Sequence, residues 1–134
     1  VVTARDSAAR RQAAADQAEI RDAAAATAAK TARHEFPAPA RLDPAAAGVW
    51  EETIAAHHEP AKIAGPDLEA YAGQVALQRD LRERIAREGS IVEDERGRPM
   101  AHPAIALERA AQAEIRAWGD RFRGRAPRPD RRPR

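Results

Sequence analysis

The chain has 134 residues, no cysteine and a formal net charge of +2, which limits it to one domain and excludes a disulfide framework, a thiolate metal site and a cysteine nucleophile. No apolar run approaches the ~20 residues a bilayer span requires, and no signal-peptide core is visible, so a soluble, intracellular protein without membrane contact is expected. Alanine is abundant while aromatics make up 4% of the chain, a balance that favours helices over strands.

The charge is unevenly placed. Arg121, Arg123, Arg125, Arg128, Arg131, Arg132 and Arg134 face only Asp120 and Asp130 after residue 118, so residues 119–134 carry +5 and the rest of the chain sums to −3. A slightly acidic body with a basic end differs from a uniformly basic protein.

Residues 1–35 read as an Ala-rich N-terminal helix, about Thr3 to Arg33, whose large aliphatic anchors are Val1, Val2 and Ile20. So few anchors imply a solvated or partner-dependent helix. Residues 36–41 form a Pro-rich linker, because Pro37 and Pro39 forbid helix at and before their positions. Residues 42–122 make the helical oligomerisation core. Asp43 supplies an N-cap and Pro44 a first helical residue for a helix of roughly 44–58, with Trp50, Ile54 and His57 on one face. Glu59-Pro60 ends it, and Ala61 to Gly65 is read as a short connection.

Pro66 opens a helix of about 66–88 that Gly89 closes. Leu68, Tyr71, Val75, Ile85, Leu81 and Leu77 spread over nearly half its circumference, interrupted by Gln74 and Gln78. An arc so wide asks for two packing partners. Leu77, Leu81 and Ile85 are therefore assigned to an interface with a second copy of the chain. From Ser90 to Met100 two short apolar pieces flank a charged turn with Gly97, giving a small β-hairpin or a looped crossover. The last helix, about 103–122, carries the stripe Leu107, Ala111, Ile115, Trp118 and Phe122. Residues 123–134 are expected to be a disordered basic tail. The fold class is thus all-α: a long N-terminal helix and a helical hairpin core, with a β-hairpin-like loop before the last helix.

No catalytic constellation emerges. His57-His58-Glu59 is the best metal candidate, but adjacent helical side chains point ~100° apart and no further ligand follows at helical spacing. These histidines read instead as cations at a helix C-terminus. His102 before Pro103 reads as an N-cap-like residue. Glu93, Asp94 and Glu95 read as a solvated turn tip. The glycines form no phosphate loop, and Ser7 and Ser90 lack a nucleophile-elbow setting. No enzyme, cofactor or metal is expected. The arginine-rich end is the signal for a partner: several guanidiniums neutralise phosphates and release counterions without reading sequence. A solubilising terminus or a tail docking on an acidic protein is the competing reading.

The order of features from Leu42 to Phe122 resembles that of phage terminase small subunits. The resemblance rests on the proline-led helix Asp43-Pro44 through Trp50-Glu51 and on the helix through Asp67-Leu68-Glu69-Ala70-Tyr71 that ends from Leu81 to Gly89. It continues through Ile91-Val92, Gly97 and His102-Pro103-Ala104, then the final helix with Ala110, Ile115 and Trp118. Residues 1–35 depart from the short, basic, proline-rich start common in that family, and the tail is more arginine-dense. Either end is then a candidate for touching DNA. The resemblance implies a non-enzymatic protein of the bacterial host cytoplasm, closed into a ring of about eight to eleven copies. Such a protein recognises the packaging-initiation region of double-stranded viral DNA and recruits and regulates the terminase large subunit, which carries the ATPase and nuclease. A dimeric helical DNA-binding regulator and an adaptor without nucleic-acid function are the alternatives.

Overall fold

A computed structural model describes residues 3–124. Five helices and one two-stranded sheet follow in the order α1 (Ala4–Glu35), α2 (Pro44–Ala56), α3 (Pro60–Ile63), α4 (Pro66–Glu88), β1 (Ile91–Glu93), β2 (Pro99–Ala101) and α5 (Ala104–Ala117). The expected N-terminal helix, helical hairpin and β-hairpin-like loop are all present. The disorder expected of the tail beyond Gly124 lies outside the described residues, as do Val1 and Val2.

α1 starts at a reciprocal cap: Thr3 accepts from the Asp6 amide at 3.2 Å, and the Asp6 carboxylate accepts from the Thr3 amide at 3.2 Å. Beyond that start, only Ala32 of this helix is buried. The chain then leaves through Phe36, whose carbonyl accepts from Trp50 Nε1 at 3.0 Å, fastening the linker to α2.

α2 is capped by Asp43, which accepts from the Ala46 amide at 2.9 Å. It ends at Ala56, two residues before the expected His58, and Pro60 explains the difference. A helical Pro60 would press its ring on the carbonyl four residues back, that of Ala56, so the helix must stop there. His57 is already extended, and Pro60–Ile63 forms a single turn, α3, where a plain connection was expected.

α4 runs from Pro66 to Glu88 and stops at Gly89, whose φ of +90° suits glycine. β1 and β2 pair antiparallel with Val92 opposite Met100. Their turn is held by Asp94, which accepts from the amides of Arg96 and Arg98 at 2.8 and 2.9 Å. α5 then packs antiparallel on α4, and α4 also packs on α2.

The core is the α2/α4 contact and its cover: Val49, Trp50, Ile54, Ile63, Leu68, Ala72 and Phe122, with Ile54 and Leu68 fully enclosed. α5 ends at Ala117, earlier than the expected Phe122, because Gly119 adopts φ +59° and turns the chain out of the helix. Phe122 is buried even so. It arrives through the turn, with its ring 4.6 Å from Tyr71 and 5.4 Å from Trp118. Leu107, assigned to the core stripe, is 58% exposed.

Candidate nucleic-acid and subunit interface

Two regions of the fold hold those residues singled out by sequence that lie among the described ones. The first is the turn after α5. Burial of Phe122 fixes it, and Phe→Ala changes at such sites cost ~3–5 kcal/mol. Arg121 lies over the rings of Trp118 and Phe122, 5.6 and 5.4 Å from their centroids, and pairs with Asp67 of α4. Arg123 pairs with Asp120 at 3.3 Å, both well exposed, an arrangement that contributes little and exchanges readily. Gly124 lies against the end of α2 so closely that a Cβ there would come 2.3 Å from the Ala56 carbonyl oxygen. Arg125, Arg128, Arg131, Arg132 and Arg134 lie outside the described residues.

The same turn faces the end of α2. His57, His58, Asp120, Arg121 and Arg123 line one concavity of about 280 Å³. Neither histidine is placed to hold a metal with its neighbours: among the described residues no group of three or more His, Asp or Glu side chains is.

The second surface is one edge of the α4/α5 hairpin. Its registry is set by Glu108, which accepts from Gln78 Nε2 at 3.2 Å, Arg82 Nε at 2.9 Å and Gln112 Nε2 at 2.9 Å. Burial pushes the Glu108 carboxyl up, but the bonds from Arg82 and Gln78 outweigh it and hold the group below the usual glutamate range. At the connected end of the hairpin His102 meets Glu88, Nε2 to Oε2 at 2.5 Å, while its Nδ1 accepts from the Ala104 amide at 3.0 Å. The cap position itself is Pro103, and His102, expected to be N-cap-like, satisfies the first amide of α5 from one residue earlier.

Stepping back one residue from Gln78 and from Glu108 reaches Leu77 and Leu107. In an antiparallel pair such a step swings both side chains to the same side of the hairpin. Leu77 is 46% and Leu107 58% exposed, and together they form an apolar edge. Of the other two residues assigned to a subunit contact, Ile85 is half-buried and Leu81 is buried, as are Ala104 and Ala111 of α5. Leu107 was missed because its spacing fits the core stripe equally well. Rotation relative to Glu108, a tertiary fact, decides otherwise.

No helix among the described residues is long and apolar enough to cross a membrane. No curated protein and no solved structure matches the chain. A family model, phage terminase, small subunit, matches residues 47–123, from the first turn of α2 through the turn after α5. That match takes in the α4/α5 hairpin, the β-hairpin and the aromatic turn, over more than half of the chain. The chain therefore belongs to the phage terminase small subunit family, the non-catalytic partner of the ATPase-bearing large subunit in phage DNA packaging.

Proposed function

We propose that this chain is the DNA-selecting component of a packaging motor in the bacterial host cytoplasm. It assembles into a closed ring, recognises the packaging-initiation region of double-stranded viral DNA, and brings the large ATPase–nuclease subunit to it. Family membership supports the setting. The observation that carries the assembly is the apolar edge of Leu77 and Leu107, two large aliphatic side chains left open on one side of a rigid hairpin, with half-buried Ile85 on α4. Two large aliphatic side chains open on one side of the same helix pair offer a second copy an apolar edge to cover. A head-to-tail contact made by such an edge closes into a ring when its rotation permits.

DNA contact is assigned to the basic end, Arg121 through Arg134, repeated once per subunit. Each copy would add phosphate contacts of modest strength. The large subunit is the second partner of the assembly.

The test is the native mass of the full-length chain by light scattering after size exclusion, together with that of Leu77→Asp/Leu107→Asp. A single assembly of about eight to eleven chains that falls to monomer in the variant supports the ring. A wild-type monomer or dimer overturns it and favours a small dimeric regulator. Leu81→Asp is a poorer probe, because Leu81 is buried within the chain and its loss reports on folding.

A further inference from the structure

The histidines at the end of α2 have no part in the core or in the assembly just proposed, yet they sit beside two arginines brought from the far end of the chain. We propose that His57, His58, Arg121 and Arg123 form an oxyanion site that takes one phosphodiester of the DNA backbone and holds it more tightly below neutral pH. This rests on the reading that the chain binds DNA.

Three observations support a built site. The two imidazoles are stacked, 4.6 Å between centroids and 19° between planes. The Nδ1 of His57 accepts from the Glu59 amide at 3.0 Å, so the neutral ring carries its proton on Nε2 and keeps that donor for a ligand. The arginine turn is pinned opposite by buried Phe122 and by the close approach of Gly124 to Ala56. Two remote segments are thereby fixed around one concavity, and all four basic side chains line it.

The surrounding charges explain why pH matters. From the turn after α5, Asp120 lines the site and pairs with Arg123; from α4, Asp67 pairs with Arg121. Beside the rings, Glu59 lies 3.6 Å from His58 Nε2 and pairs with Lys62 at 2.8 Å. From α1, Glu35 lines an adjoining hollow together with both histidines. Carboxylates thus balance the fixed cations at neutral pH. Imidazoles are the side chains that gain charge just below it, and since His57 spends Nδ1 as an acceptor, the geometry leaves His58 as the ring able to take a second proton.

The test uses the full chain and a fluorescently labelled duplex, with Kd measured across a salt series at pH 7.5 and 6.0. We expect binding to tighten roughly three- to tenfold at pH 6.0 and the salt slope to steepen by about one phosphate's worth. His57→Asn/His58→Gln, which keeps an acceptor for the Glu59 amide, should lose the added response at pH 6.0. An unchanged slope, or a double variant that keeps the pH response, overturns the site. A parallel NMR titration with inorganic phosphate at pH 6.0 should shift the ring signals of His57 and His58 saturably, with His34 as the internal control. DNA binding with silent rings overturns the site and leaves the DNA reading standing. Shifting rings without DNA binding at either pH overturns the DNA reading instead, and silence in both overturns both.

Discussion

His102 is 8% exposed and has both ring nitrogens engaged within the chain. Because Nδ1 accepts from the Ala104 amide, the neutral ring must carry its proton on Nε2, where it donates to Glu88. One side chain therefore caps the start of α5 and closes the base of the β-hairpin onto the end of α4. An asparagine has the same pair of functions in its amide, an acceptor oxygen and a donor nitrogen. His102→Ala should destabilise the chain by about 1–2 kcal/mol through loss of the cap, and His102→Asn should recover most of that. Urea denaturation of the two variants decides it, and equal midpoints would remove the capping argument. The partner carboxylate gives a pH signature. The bond from His102 is the main reason the Glu88 carboxyl titrates below the ordinary glutamate value. A carboxyl lowered on folding stabilises the native state above its unfolded pKa, and that contribution is lost as pH falls through the folded value. The contribution of Glu88 should therefore hold above about pH 5 and be lost under stronger acid, read as a fall in the protection factor of the Ala104 amide. A protection factor that stays constant down to about pH 3 would count against the clamp.

Among the elements, α4 was the most legible, since Pro66 and Gly89 mark both ends and each acts through local backbone geometry alone. The helix of 104–117 was less so: apolar spacing continues to Phe122, while Gly119 takes the left-handed conformation that ends it. The periodic signal outvoted a local one, and both were partly right, because Phe122 does reach the core. α3 went unseen because a four-residue turn buries one anchor, Ile63, and leaves no period to read. The subunit edge was half legible. Leu77 and Leu81 both lie on the wide arc of α4, but only contact with α5 decides that Leu81 is buried and Leu77 is not. α1 was legible in type and in isolation alike. Its anchoring is confined to its C-terminal end, at Ala32, and to the following Phe36, which packs against the core. Deleting residues 3–27 should accordingly shift the stability of the core by no more than ~0.5 kcal/mol. A thermal melt of the truncated chain checks this, and a loss of several degrees would mean that α1 packs on something beyond its own subunit.

For the whole molecule, the surface proposed for assembly and the one proposed for DNA are separate in place. The apolar edge lies midway along the α4/α5 hairpin, whereas the basic turn is at the end where Phe122 meets Tyr71 and Arg121 meets Asp67. A chain whose net charge is only +2 has little electrostatic attraction for DNA as a single copy, and assembly would repeat its basic end around one axis. Linking weak sites converts later contacts into intramolecular ones and raises avidity by ~10²–10⁴ when the geometry permits. Opposite outcomes follow for two variants. Leu77→Asp/Leu107→Asp leaves every arginine in place, yet it should fall to monomer and lose more than tenfold in duplex affinity. Deleting residues 125–134 removes Arg125, Arg128, Arg131, Arg132 and Arg134 but touches neither leucine. It should keep the assembled mass while losing affinity and flattening the salt dependence. Native mass and anisotropy, measured on the same samples, separate the two. If the leucine variant falls to monomer but binds DNA as tightly as wild type, then avidity has no part in DNA recognition and a single basic end is sufficient.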